Sequence, residues 1–161
     1  MSKIKLLVMD VDGTLTDGKI YIGNDGEMMK AFDIKDGCGI HDILIPAGII
    51  PIVITGRKSK IVYNRCREIG IQNLFQGVRD KTSQLDSVLR TFGYSLSEVA
   101  YIGDDINDLP CMQHVKSTGG IIGCPADAVD SVKSFADFIS HHNGGNGAVR
   151  EFIEWLCKKN N

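Results

Sequence analysis

The chain has little of what marks a secreted, membrane-spanning or nucleic-acid-binding protein. Its five cysteines (Cys38, Cys66, Cys111, Cys124 and Cys157) are scattered, odd in number and form no CxxC pair. That excludes a disulfide framework or a zinc ribbon and fits reduced thiols. No apolar run approaches the ~20 residues a bilayer-spanning helix needs. The first residues lack the basic, apolar and small-residue order of a signal peptide, so a cytoplasmic location is expected. Charge of one sign is missing too. Eighteen Lys and Arg stand against 20 Asp and Glu, a formal net charge of −2, with no long basic run. Neither nucleic acid nor a membrane surface is expected as a partner. With only four prolines there is no low-complexity linker, and no internal repeat is visible. At 161 residues, one domain over residues 1–161 with one core is expected.

What is present is alternation. Strand-like apolar runs at residues 4–9, 49–54, 73–75, 99–102 and 120–122, with 138–139 as an edge, alternate with helical periodicity. The helical segments are 39–46, 58–69, 81–92, 107–114, 128–135 and 148–157. This pattern predicts an α/β fold: a Rossmann-like, three-layer parallel sheet with right-handed crossovers. Ser95-x-x-Glu98 reads as a capping box. One segment breaks the rhythm. Residues 19–32 read as two short strands around Asn24-Asp25-Gly26, whose residues tolerate positive φ. A β-hairpin protruding over the end of the first strand, or into a neighbouring subunit, is expected there. Cys38 falls in a Gly-rich stretch that reads as a turn. Adjacent His141 and His142 have no cysteine or carboxylate at ligand spacing and read as a surface loop. Trp155, with Phe152 and Leu156, reads as core packing of the last helix.

The chemistry gathers where strands end. The first apolar run stops at Asp10-Val11-Asp12-Gly13-Thr14. Open α/β sheets set their reactive groups just beyond the carboxyl ends of strands. Two carboxylates there repel one another unless a cation or a proton intervenes, which points to a metal site beside a nucleophile or acid. Thr55-Gly56-Arg57 follows the second strand, Asp80-Lys81 opens the helix after the third, and Gly103-Asp104-Asp105-Ile106-Asn107-Asp108 follows the fourth. Brought together, these loops supply carboxylates for Mg²⁺, and a hydroxyl, backbone N–H groups and a lysine for phosphate oxygens. Each motif alone is weak; their order after successive strands is specific.

This set resembles the haloacid dehalogenase superfamily of phosphatases, and nearly the whole chain takes part. The further segments are Thr16-Asp17-Gly18-Lys19-Ile20-Tyr21, Gly23-Asn24-Asp25-Gly26-Glu27, Ala31-Phe32, Lys35-Asp36-Gly37-x-Gly39-Ile40, Ile54-Thr55-Gly56-Arg57-Lys58, Ala100-Tyr101-Ile102-Gly103-Asp104-Asp105 and Gly144-Gly145-x-Gly147-Ala148-Val149-Arg150-Glu151. They are similar to the small subgroup that has no cap domain. The resemblance implies a Mg²⁺-dependent phosphomonoester hydrolase acting through an aspartyl-phosphate. Asp10 would be the nucleophile and Asp12 the general acid and base. Mg²⁺ would be held by Asp10, the backbone carbonyl of Asp12, and Asp104. Thr55, Gly56 and Lys81 would bind the phosphoryl group, with Asp105 and Asp108 in support. Arg57, Lys35 and Arg150 would contact the substrate, the last two at a sugar carboxylate. Arg57 after Thr55-Gly56 favours an eight-carbon sugar acid, 3-deoxy-D-manno-octulosonate (Kdo) 8-phosphate, over N-acetylneuraminate or Kdn 9-phosphate. Lys35 and Asn146 stand where the subgroup commonly has arginine, and the two are not equivalent toward a carboxylate. The resemblance also implies a homotetramer assembled through the hairpin and a role in lipopolysaccharide synthesis.

Two other classes were open to the same residues. A receiver domain would carry its phospho-accepting aspartate after a middle strand, and no aspartate ends the 49–54 run or the 73–75 run. A non-catalytic assembly module would have lost the reactive residues, and this chain keeps them.

Overall fold

The computed structural model describes residues 3–160. Six parallel strands form one sheet in the order β5-β4-β1-β6-β7-β8. They are β1 (Leu6–Met9), β4 (Ile50–Thr55), β5 (Asn73–Gln76), β6 (Val99–Ile102), β7 (Ile121–Cys124) and β8 (Phe138–Ile139). Each crossover carries the chain to the next strand through helical segments. The central strands are buried on both faces, and their alternate side chains feed two separate cores. Leu7, Met9 and Val53 point into one core, with Ile40, Leu44, Val62, Phe152 and Leu156. Leu6, Val8, Ile52 and Tyr101 point into the other, with Leu85, Met112 and Val115. The first core lies under α2 (Lys60–Glu68), α6 (Ala148–Asn160) and the helical stretch Gly39–Leu44 that continues α1 (Ile34–Cys38); the second lies under α3 (Lys81–Phe92), α4 (Leu109–Lys116) and α5 (Asp130–Lys133). This is the expected three-layer arrangement. No cap domain is evident among the described residues.

The hairpin is present: β2 (Tyr21–Gly23) pairs antiparallel with β3 (Gly26–Met29). A single bridge, Thr16 to Phe32, joins its base to the loop after β1. Its faces carry Ile22 and Met28, about two-thirds exposed.

One expectation changes. The helix predicted from residue 39 begins five residues earlier, at Ile34, capped by Asp33, whose carboxylate accepts the Lys35 N–H at 2.6 Å. It then continues as a π-helical stretch, Gly39–Leu44. Gly39 sits inside this helix because a Cβ there would lie 2.9 Å from Cδ of Arg150 and 3.3 Å from its Cα. The glycine permits helix-on-helix contact and makes no turn. Cys38 accordingly lies at the end of a helix, with its thiol donating to Asp42 at 3.2 Å. The capping box is present: the Ser95 N–H donates to Glu98 at 2.9 Å. Trp155 packs 5.0 Å from Phe138, ring to ring, and His141 is an exposed partner of Glu151.

Candidate active site

β1 and β6 lie side by side, Met9 in register with Ile102. Their following loops, Asp10–Thr14 and Gly103–Asp108, therefore meet at the mouth of the sheet. Asp10 is 5% exposed. Its Oδ1 accepts a 2.7 Å bond from Lys81 Nζ, which reaches up from the first turn of α3. The same Nζ donates at 2.7 Å to Asp108 Oδ1. Asp108 is wholly buried and spends its acceptor sites inward: Oδ1 also takes the Tyr101 hydroxyl at 2.7 Å, and Oδ2 takes the N–H groups of Asp104 and Asp105 at 3.1 and 3.3 Å. Asp108 thus shapes the β6 loop and orients Lys81.

Asp104 faces Asp10 across the mouth. Its Oδ1 accepts the Thr14 hydroxyl at 2.9 Å. Gly13, at φ +93°, makes room for it: a Cβ on Gly13 would lie 2.0 Å from Asp104 Oδ2. Carboxylate oxygens of Asp10, Asp104 and Asp108 lie within 4.8 Å of one another. With Asp108 committed to internal donors, Asp10 and Asp104 are the pair that fits a hard cation. The electrostatics agree. Burial, then the charge of Asp10, pushes the Asp104 carboxyl up to about 7. Burial and the neighbouring Asp108 push Asp10 up as well, against the pull of Lys81. Burial works against the Lys81 ammonium, but Asp10 and Asp108 outweigh it and its pKa is raised. One ammonium does not neutralise three carboxylates, and a divalent cation completes the balance.

A cleft of about 320 Å³ opens here, lined by Asp10 and Asp12, by Thr55, Gly56 and Arg57, and by Asp104 to Asn107. Thr55 is buried, and its hydroxyl has no partner among the described residues, so it is free to donate into the cleft. Asp105 lines the rim. A larger cavity of about 520 Å³ lies along α2 and β5, but Tyr63, Arg67, Gln72 and its other lining residues include no carboxylate. The Gly144–Gly147 loop abuts the first loop within the same chain, the Gly145 N–H donating to the Thr14 carbonyl at 3.0 Å.

Two of the expected substrate contacts lie elsewhere in the single chain. Lys35 is exposed on the first turn of α1. The Arg150 guanidinium is turned along α6 to Glu154, at 2.5 Å. Neither lines the cleft. Three residues that were given no role from the sequence join the site. Tyr101 holds Asp108. Lys30 donates to Asp12 Oδ1, and its Nζ lies 2.9 Å from Glu27 Oε1. Glu27 in turn accepts the Ser59 hydroxyl and lies 4.0 Å from Arg57. A tyrosine in a fully buried strand was the available signal for the first, since its hydroxyl needs a partner. A Glu-x-x-Lys pair closing an otherwise apolar hairpin strand was the signal for the others.

Comparison with known proteins agrees with this geometry. Residues 67–153 match the model of the haloacid dehalogenase-like hydrolases. The chain is 43% identical to the 3-deoxy-D-manno-octulosonate 8-phosphate phosphatase of Salmonella typhi over 95% of its own length and 79% of that protein's. It superposes on the Moraxella catarrhalis enzyme of that name, crystallised with magnesium, phosphate and Kdo, with a TM-score of 0.90 and 40% identity over 97% of this chain and 87% of the other. The cobalt-bound Haemophilus influenzae phosphatase gives a TM-score of 0.90 at 35% identity, over 98% and 90%. With the family model covering over half the chain, and relatives this similar covering nearly all of it, the chain belongs to the haloacid dehalogenase-like hydrolases.

Proposed function

We propose that this chain is a Mg²⁺-dependent phosphatase that releases Kdo from Kdo 8-phosphate. The observation that carries the reading is the Asp10–Lys81–Asp108 chain beside Asp104, set at the mouth of a sheet whose sequence is 43% identical to a phosphatase of that name. Asp10 is the nucleophile: a carboxylate oxygen attacks phosphorus in line with the leaving sugar oxygen. Lys81, held by Asp108, favours the ionised form of Asp10 and aims it. Asp12 gives its proton to the departing alkoxide, a poor leaving group, and later takes one from the water that hydrolyses the aspartyl-phosphate. The Thr55 hydroxyl and the Gly56 N–H receive the phosphoryl oxygens, and Lys81 adds positive charge behind them. Asp10, Asp104 and the carbonyl of Asp12 would hold Mg²⁺, which supplies charge neutralisation between a dianionic phosphate and the aspartates. Asp105 supports the metal side of the cleft.

Arg57, at the cleft rim, is the sugar-carboxylate contact available within one chain. Lys35 and Arg150 join it only if a neighbouring subunit closes the site. A homotetramer built on the hairpin would give that arrangement, and the apolar, exposed Ile22, Met28 and Met29 are surface suited to it. The reading extends to one catalytic domain, a cytoplasmic setting and lipopolysaccharide synthesis, in which Kdo is a cell-envelope sugar. No helix among the described residues is long and apolar enough to cross a membrane.

The test is phosphate release with Mg²⁺ from Kdo 8-phosphate, Kdn 9-phosphate and N-acetylneuraminate 9-phosphate, with an EDTA control. A kcat/KM at least about tenfold higher for the first, a difference of ~1.4 kcal/mol in transition-state binding, supports the assignment. Preference for a nine-carbon sugar overturns the substrate and leaves the chemistry. No metal-dependent release from any of the three returns the chain to the assembly-module class.

A further inference from the structure

Among the described residues only two lysines are buried, Lys81 and Lys30. The first belongs to the nucleophile. The second follows β3 directly, and its side chain is 0% exposed, whereas that of Asp12 is 21% exposed and faces the cleft. Lys30 Nζ donates to Asp12 Oδ1 from the buried side. It is held in turn by Glu27 Oε1 at 2.9 Å. Glu27 Oε2 accepts the Ser59 hydroxyl. Ser59 caps α2 through the Val62 N–H at 3.3 Å, and its own N–H donates to Gln76 at 2.7 Å, at the end of β5. The ammonium is therefore tied to the frame of the sheet. Asp12 Oδ1 is occupied, and no donor among the described residues pairs with Oδ2.

We propose that Lys30 is a positioning residue for Asp12: anchored by Glu27 and Ser59, it occupies Oδ1 and so fixes the carboxyl orientation that presents Oδ2 to the leaving oxygen. This rests on the phosphatase reading above. In the first step Asp10 bonds to phosphorus, the bond from phosphorus to the leaving oxygen breaks, and that oxygen takes the proton from Asp12 Oδ2. In the second, water attacks phosphorus, its proton returns to Oδ2, and the Asp10–phosphorus bond breaks. A carboxyl free to rotate would offer either oxygen, and the proton would be in place for only part of the time. Fastening the hairpin does not by itself call for such a lysine. Burying an ammonium costs several kcal/mol, and an apolar side chain would join hairpin to sheet at least as well.

The test compares leaving groups. Lys30→Met, Lys30→Arg and Glu27→Gln are made in the full chain and assayed with Mg²⁺ on Kdo 8-phosphate, phenyl phosphate and p-nitrophenyl phosphate. p-Nitrophenolate departs without needing a proton; the other two leaving groups need one. Lys30→Met is expected to lower kcat on the first two about 30- to 100-fold, with KM within about threefold, while the first-turnover burst of p-nitrophenolate stays within about threefold of wild type. Lys30→Arg should recover most of the loss. In an Asp12→Asn background, Lys30→Met should add less than about twofold, because it acts through Asp12. Equal loss of first-turnover rate for all leaving groups, or a full additional loss on top of Asp12→Asn, overturns the proposal. Glu27→Gln, expected to show a smaller loss with the same leaving-group pattern, decides the matter if Lys30→Met does not fold. A wild type that ignores Kdo 8-phosphate but hydrolyses the aryl phosphates overturns the sugar, not Lys30. A wild type inactive on all three overturns both.

Discussion

Two lysine–aspartate pairs serve one cleft and stand on opposite kinds of scaffold. Lys81 and Asp10 come from α3 and the end of β1, both rooted in the core, and their side chains are 4% and 7% exposed. Lys30 and Asp12 join the hairpin to the same loop, and there the aspartate is 21% exposed. The difference matches the two tasks proposed for Asp10 and Asp12. A nucleophile that forms a covalent bond gains from fixed geometry and loses little by being dry, provided a cation keeps it ionised. An acid that gives up a proton and recovers one from water in every cycle must touch both substrate and solvent. The molecule binds the first from the core and the second from an appendage.

The largest test of this contrast is Asp10→Asn. The amide keeps the shape but cannot form the aspartyl-phosphate, so turnover should fall by about 10⁴-fold or more, with circular dichroism and melting little changed. Retained turnover would remove Asp10 as nucleophile. Next is Lys81→Met. It strands two buried carboxylates, Asp10 and Asp108, and breaking such a cluster by removing one partner costs about 3–5 kcal/mol. Urea melts without metal should show it. The same change at Lys30 should cost visibly less, because Asp12 keeps access to water. Equal losses at the two lysines would erase the distinction between core-built and hairpin-built pairs.

The core-built half was readable in the sequence because it obeys short-range rules. An apolar run that stops at Asp10, another at Thr55 and a third at Asp104 announce strand ends, and parallel-sheet topology brings strand ends together. Lys81 was legible as the opening of a helix. The hairpin was legible as an element from Asn24-Asp25-Gly26, but its chemistry was not. Which side chain of a two-stranded ribbon turns inward depends on how the ribbon lies on the sheet, and that is a tertiary fact. Lys30 consequently carried no signal of its own in the sequence. The start of α1 was hidden for a similar reason: Gly37 and Gly39 signal a turn locally, and only the close approach of Arg65 to the first and of Arg150 to the second shows that they are helix-packing glycines. The placement of Arg150 itself was obscured by Glu154 one turn on, which takes its guanidinium within the chain.

A third prediction separates charge from scaffold. In the metal-free chain the Asp104 pKa is raised to about 7, by burial and then by Asp10. Asp10 is raised too, by burial and then by Asp108. A carboxyl that binds its proton more tightly when folded adds stability below its unfolded pKa near 4, and that contribution is lost as pH rises through its folded value. Melting temperature in EDTA should therefore fall between about pH 4 and pH 7. Mg²⁺ binds the ionised forms, so the rise in melting temperature it gives should grow over the same window. A Mg²⁺ effect independent of pH would mean that the cation is not bound by Asp10 and Asp104.

The smallest expected effect lies on the exposed side of the hairpin. Ile22 and Met28 are 68% and 67% exposed, on a ribbon that also carries Glu27, opposite Ile22, and then Lys30. Replacing both by serine removes apolar surface from water contact and breaks no buried interaction within the chain, so its intrinsic stability should move by about 0.5 kcal/mol or less. If that exposed side is an assembly surface, light scattering should show the particle mass falling with the double substitution, and activity should fall only as far as a neighbour completes the site. If the mass is that of one chain before and after, the tetramer is wrong. The hairpin's contribution is then confined to its buried side, where Lys30 pairs with Asp12. Exposed and buried side chains of the one ribbon do separable work, and the double substitution reads the first without disturbing the second.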